Sequence, residues 1–190
     1  MAGVDEVGRG CLAGPVFSAA VILNKNIDTE NIKDSKKLSF NKRIILFNYI
    51  KKNSIYALGI ATVEEINKIN ILNASLLSMK RALTKLKIKP NIAFIDGPFA
   101  PKLNIKCKTF IKGDEKIISI AAASIIAKVS RDLFMIKLSN KYPRYSWHKN
   151  FGYGTKDHLN GLKKYGITKH HRKKFKPVHN ILFRKTRETQ

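Results

Sequence analysis

Apolar residues along this chain fall into short strand-like runs separated by longer stretches with helical spacing. Ala2 to Glu6 and Val16 to Leu23 predict two strands, and the glycine-rich connection ending in Gly14-Pro15 is short enough to favour antiparallel pairing. Between Ser39 and Lys52 the positions Phe40, Ile44, Phe47 and Ile50 recur with the helix period, and Ile55 to Ala61 predicts a third strand. Thr62-Val63-Glu64-Glu65 has the form of a capping box and opens a helix. A longer helix is predicted over Ala74 to Leu86, stopped before Pro90. Asn91 to Ile95 predicts a fully buried strand that gives way to Asp96-Gly97-Pro98, and Ile105 to Ile111 predicts a fifth. The strongest helical stretch is Lys116 to Ser139, whose Ala121, Ala122, Ala123 and Ser124 allow close packing on a sheet. The order is mixed α/β, with an antiparallel start and crossover helices later.

This pattern puts acids at comparable points. Asp5 and Glu6 end the first strand and Asp96 ends the fourth, and strand ends are where sites form in open α/β sheets. Adjacent carboxylates there repel and raise their own pKa values unless a cation or bound protons relieve them. Carboxylates without histidine or thiolate are hard oxygen donors suited to Mg²⁺ or Mn²⁺. Asp114, in Lys112-Gly113-Asp114 ahead of the long helix, either joins them from the side or caps the helix, a role aspartate favours. Gly8 and Gly10 flank Arg9 directly after the acidic pair and let a ligand approach the main chain closely.

Charge adds a partner. The 190 residues include 37 Lys plus Arg against 13 Asp plus Glu, a formal net charge of +24, which attracts phosphate backbones. Lysine (29) far outnumbers arginine (8), as codon bias in an A/T-rich genome would produce, and both causes contribute. Bias does not explain the distribution: residues 141–190 hold 14 Lys plus Arg against Asp157 and Glu188, so this end is the expected nucleic-acid face. Two cysteines far apart, Cys11 and Cys107, and the absence of a signal-like start point to a reduced cytoplasmic setting. No apolar run is long enough to cross a bilayer, and the five histidines lack metal-binding spacing.

The ordered set Gly3 to Gly10, Ala13 to Val16, Asp34 to Ser39, Ile95-Asp96-Gly97, Lys112-Gly113-Asp114, Ala121 to Arg131, Gly152 to Thr155, Gly166, His171-Arg172 and Phe175 to Val178 resembles bacterial ribonuclease HII. The resemblance runs through nearly the whole chain. It implies an RNase H-like fold: a mixed five-stranded sheet with its first three strands antiparallel, flanked by helices, and a helical C-terminal part. It also implies one catalytic domain over residues 1–190, with 141–190 a basic helical segment of it. The expected activity is a monomeric, Mg²⁺- or Mn²⁺-dependent endonuclease acting on RNA/DNA hybrids and on single ribonucleotides in duplex DNA. The cut is expected 5′ of the ribonucleotide, leaving a 3′-hydroxyl and a 5′-phosphate. Asp5, Glu6, Asp96 and Asp114 would be the catalytic, metal-holding carboxylates, and Gly8, Arg9 and Gly10 would read the 2′-hydroxyl. Tyr153 would stack on the neighbouring sugar. Lys36 and Lys37 are either phosphate contacts or solvated lysines, and Ser124, Lys128 and Arg131, at helical spacing beside the site, are expected substrate contacts, with packing an equal explanation for Ser124.

Two departures stand out. Phe151 occupies the place of a more polar residue before Gly-Tyr-Gly, and with few residues ahead of Asp5 the extra N-terminal domain of ribonuclease HIII is not expected. Ile181-Leu182-Phe183 with Arg184 and Lys185 matches a sliding-clamp peptide poorly, so clamp recruitment is not supported. Two competing readings are a non-catalytic basic nucleic-acid binder and another nuclease of the same fold.

Overall fold

The computed structural model describes residues 1–33 and 39–187. Its elements are β1 (Ala2–Val7), β2 (Val16–Leu23), α1 (Glu30–Lys33), α2 (Phe40–Lys52), β3 (Ser54–Ala61), α3 (Val63–Thr84), β4 (Ile92–Asp96), β5 (Lys106–Phe110), α4 (Ile118–Lys141), α5 (Trp147–Asn150), α6 (Lys156–Tyr165) and α7 (Lys176–Arg187). They pack as two compact units. One comprises Met1–Val7, Phe17–Ile60 and Ser75–Ser130, and the other Gly8–Val16, Ala61–Ala74 and Arg131–Gln190. The basic segment 141–190 thus falls in the second unit.

In the first unit the sheet order is β3-β2-β1-β4-β5. β1 runs antiparallel to β2 and parallel to β4, and β4 runs parallel to β5, so the sheet is mixed as expected. Side chains alternate across the strands, which sorts them between two cores. Ala19 and Val21 pack with Leu46 and Ile50 of α2 and with Ala121 to Val129 of α4. Val4, Ala20, Ala93 and Ile95 pack on the other side with Met79, Ala82 and Leu83 of α3. β4 is not fully buried, as the apolar run predicted: Ala93 and Ile95 are buried, but Ile92 and Phe94 only partly so. Phe94 meets Phe110 of β5 edge-on, with ring centroids 5.3 Å apart.

Local chemistry sets the helix starts. The capping box forms, Thr62 N–H donating to Glu65 Oε2 at 2.8 Å and Glu65 N–H donating to Thr62 Oγ1 at 3.2 Å. The two helices expected from residues 62 to 86 adjoin at a kink: Asn70 takes a left-handed φ of 68°, and its side-chain oxygen caps Asn73 N–H at 3.0 Å. α4 begins later than expected, at Ile118, because Gly113–Glu115 forms a 3-10 turn entered through left-handed Lys112. The second unit is built around Leu12, Ala13, Met135, Leu138, Tyr145, Trp147, Leu162 and Val178. No helix among the described residues is long and apolar enough to cross a membrane.

α4 closes onto β1 at a position where only glycine fits. A Cβ on Gly3 would stand 2.1 Å from the Ser119 carbonyl carbon. Gly3→Ala is therefore expected to lower unfolding free energy by about 1–3 kcal/mol, as overpacking does, read from denaturant midpoints.

Candidate active site

Asp5 lies near the end of β1, in the strand beside β4, and the pairing of Val4 with Ile95 makes Asp5 and Asp96 the next residues along two parallel neighbours. Acids 91 positions apart in sequence thus arrive at adjacent strand ends. Asp5 is buried and Glu6 half-buried, and the Glu6 N–H donates to Asp5 Oδ1 at 2.7 Å. Burial raises the Asp5 pKa well above the ordinary carboxylate range. The charges of Glu6 and Asp96 push it the same way, while hydrogen bonds from Ser124 and the Glu6 amide oppose them. Asp96 Oδ1 accepts from Gly113 N–H at 2.6 Å, which ties the strand end to the turn that carries half-buried Asp114.

Among the described residues, no three His, Cys, Asp or Glu side chains are already gathered as a metal-holding group. Asp5 nevertheless feels both Glu6 and Asp96. The donors suit a divalent cation chemically, being carboxylate oxygens with excess negative charge.

The Gly8–Pro15 loop belongs to the second unit and is held by two arginines with no exposed surface. Arg172 donates from Nε to Gly14 O (3.0 Å), from Nη1 to Arg9 O (2.8 Å) and from Nη2 to Gly8 O (2.6 Å) and Gly14 O (2.8 Å). Arg131 donates from Nε to Pro15 O (2.9 Å), from Nη1 to Phe151 O (2.8 Å) and from Nη2 to Ala13 O (3.0 Å). Burial lowers the Arg172 pKa to about 10, with the nearby Arg131 charge acting the same way and Cys11 and Tyr153 opposing, so it stays charged at neutral pH. Gly8 has φ +94°, and a Cβ there would meet Arg131 Nε at 2.2 Å. Arg9 and Gly10 are exposed.

These placements correct one expectation and leave others standing. Helical spacing put Arg131 beside the site as a substrate contact, but its guanidinium is buried on main-chain oxygens and supports the loop instead. Ser124 does face Asp5, and half-buried Lys128 lies one turn further along α4. Tyr153 is 39% exposed and its hydroxyl is hydrogen-bonded to Cys11. Burial, followed by the Cys11 thiol, raises its pKa. Lys36 and Lys37 lie outside the described residues. Sequence reasoning missed the framing role of Arg172 and the buried set Trp147, His158 and His171. Their only sequence signal was His171-Arg172 within the family resemblance.

The sheet and its acid-bearing strand ends define an α/β protein with an RNase H-like fold. A family model described as Ribonuclease HII matches residues 2–178, and the chain belongs to that family. It is 61% identical over 183 residues to the ribonuclease HII of Pelagibacter ubique (strain HTCC1062), covering 96% of this chain and 98% of that one. It is 51% identical over 181 residues to the ribonuclease HII of Wolbachia sp. subsp. Brugia malayi (strain TRS), covering 95% and 89%. The crystal structure of ribonuclease H2 from Pyrococcus horikoshii OT3 superimposes with a TM-score of 0.80 at 28% identity, covering 96% of this chain and 97% of that one. The activity is that of a ribonuclease H endonuclease.

Because folding raises the Asp5 pKa, ionised Asp5 costs folding free energy. The cost is absent below the unfolded value of about 3.9 and grows as pH rises from there towards the folded value. In chelator at neutral pH, Asp5→Asn is expected to melt above the wild type, with the difference closing on acidification. Mg²⁺ is expected to raise the wild-type midpoint more than that of the variant, which thermal melts across pH would check.

Proposed function

We propose that the chain cuts on the 5′ side of ribonucleotides, in RNA/DNA hybrids and at single ribonucleotides embedded in duplex DNA, leaving a 3′-hydroxyl and a 5′-phosphate. The observation that carries this is the crowding of buried Asp5 by the charges of Glu6 and Asp96 at neighbouring strand ends. Asp5, Glu6, Asp96 and Asp114 are the residues that would hold Mg²⁺ or Mn²⁺. When bound, such ions acidify an attacking water and stabilise the leaving oxygen. Magnesium commonly keeps several waters and takes only one or two carboxylates plus substrate phosphates, so an open arrangement of acids suits it. The protein's own part is orientation. Ser124 and the Glu6 amide fix the Asp5 carboxylate, and the Gly113 amide fixes Asp96.

Recognition is assigned to the second unit. Main-chain groups of Gly8, Arg9 and Gly10 read the 2′-hydroxyl, the group that separates RNA from DNA. The exposed Tyr153 ring receives the deoxyribose next to the ribonucleotide, where a second hydroxyl would intrude. Lys128 and the basic surface hold the phosphate backbone, with Lys36 and Lys37 assigned from sequence alone. The two free thiols support a cytoplasmic setting.

A fluorescent DNA duplex with one ribonucleotide tests the assignment. Nicking in Mg²⁺ or Mn²⁺ is expected to fall about 100-fold or more in Asp5→Asn and in Asp96→Asn while binding changes little, since phosphate contacts supply most affinity. Cleavage persisting in both variants would reject these acids as catalytic, and efficient nicking of an all-DNA duplex would reject the ribonucleotide reading.

Gly10 separates contact with substrate from folding. A Cβ there meets nothing within 4 Å, and no positive φ is required. Gly10→Ala is expected to shift unfolding by no more than about 1 kcal/mol yet to slow nicking about tenfold by blocking close approach. An unaltered rate would mean that the sugar does not approach this position closely.

A further inference from the structure

Trp147, His158 and His171 are completely buried in a single hydrogen-bonded chain whose directions can be read from its ends. His171 Nδ1 accepts from the Thr168 main-chain N–H at 2.9 Å and lies 3.0 Å from the Thr168 hydroxyl. An accepting Nδ1 puts the proton of the neutral ring on Nε2, which faces His158 Nε2 at 3.1 Å. The Trp147 indole N–H, a donor only, points at that same His158 Nε2 from 3.0 Å. His158 Nε2 is therefore an acceptor from two sides, and its proton sits on Nδ1, 2.8 Å from the Tyr153 carbonyl oxygen. Burial lowers both imidazole pKa values, that of His171 to about 3 with the His158 charge next in effect, so both rings are neutral at physiological pH.

Neighbouring main-chain bonds fix the Tyr153 backbone as well. Phe151 and Gly152 before it are both left-handed, with φ 49° and 87°, a pair of conformations that a free chain seldom adopts. Tyr153 N–H donates to Asn150 O at 2.8 Å, Thr155 N–H donates to Tyr153 O at 2.9 Å, and Asn150 Oδ1 accepts from Gly152 N–H at 2.9 Å. His158 Nδ1–H adds the one side-chain tie to the Tyr153 carbonyl among the described bonds. The side chain meanwhile remains 39% exposed.

We propose that His158 is a positioning residue for Tyr153: its Nδ1–H locks the tyrosine main chain so that the ring is presented to the sugar, and Trp147 and His171 hold His158 in the tautomer that does this. His158 touches no reacting group. The proposal rests on the reading of Tyr153 as the residue that meets the deoxyribose beside the ribonucleotide.

The test compares kcat and KM on a single-ribonucleotide DNA duplex and on a continuous RNA/DNA hybrid. Asparagine at 158 places an amide N–H near the Nδ1 position, whereas glutamine keeps a polar group near Nε2 and none near Nδ1. Tyr153→Ala is expected to lower the single-ribonucleotide to hybrid ratio of kcat/KM about tenfold, and His158→Gln to lower it about threefold or more. His158→Asn should largely restore it. The double variant Tyr153→Ala/His158→Gln should be no worse in this ratio than Tyr153→Ala alone, because the clamp acts only through the ring. General damage to the fold would instead lower both substrates together and add in the double variant. If Tyr153→Ala leaves the ratio unchanged, the sugar reading itself fails. If Tyr153→Ala lowers it but His158→Gln does not, or the two effects add in full, the clamp is overturned. Should His158→Gln not fold, His171→Asn, which keeps an acceptor for Thr168 but removes the N–H towards His158, is expected to shift the ratio the same way, and no shift would overturn the proposal.

Discussion

Two guanidinium groups buried on main-chain oxygens set the terms for the Gly8–Pro15 loop. A buried charge is tolerated only when its donors are used, and Arg131 and Arg172 use theirs on the carbonyls of Gly8, Arg9, Ala13, Gly14, Pro15 and Phe151. Any shift of the loop away from them would leave a charge unpaired in the interior. The loop is accordingly held in one shape by the folded interior, and its ordering entropy is met during folding. Lysine does not substitute here, since one ammonium cannot span the planar fan of acceptors that a guanidinium reaches.

The acids obey the opposite logic. Asp5 is buried beside like charge and is destabilised by it, while the donors of the two buried arginines are taken up by main-chain oxygens. A site kept under electrostatic tension is primed for a cation, and its construction follows from sheet topology. After β2 and β3, the chain leaves the sheet through α3 and returns as β4 parallel to β1, and this places Asp96 next to Asp5. The short turn after β5 then brings the Gly113 amide back onto Asp96.

Much of this was readable from the chain. Five strands, the antiparallel β1–β2 pair, the capping box at Thr62 and the acids at strand ends all follow from local periodicity and turn chemistry. The discrepancies arose where tertiary contacts decide. The late start of α4 depends on left-handed Lys112, which no propensity favours, and the half-buried face of β4 depends on what covers it. Spacing placed Arg131 on the correct helix but does not specify which way a long side chain turns. The Trp147–His158–His171 chain has no sequence period at all, because its members come from different segments and meet only through hydrogen bonds.

The hydrogen bonds described from Arg131 and Arg172 all end on peptide oxygens, so this grip does not depend on the side chains mounted on the loop. Arg9 and Gly10 stand exposed on a frame whose shape is dictated from below. Replacing the side chains at those two positions leaves the main-chain bonds to Arg172 in place, whereas at Gly8 a steric veto applies.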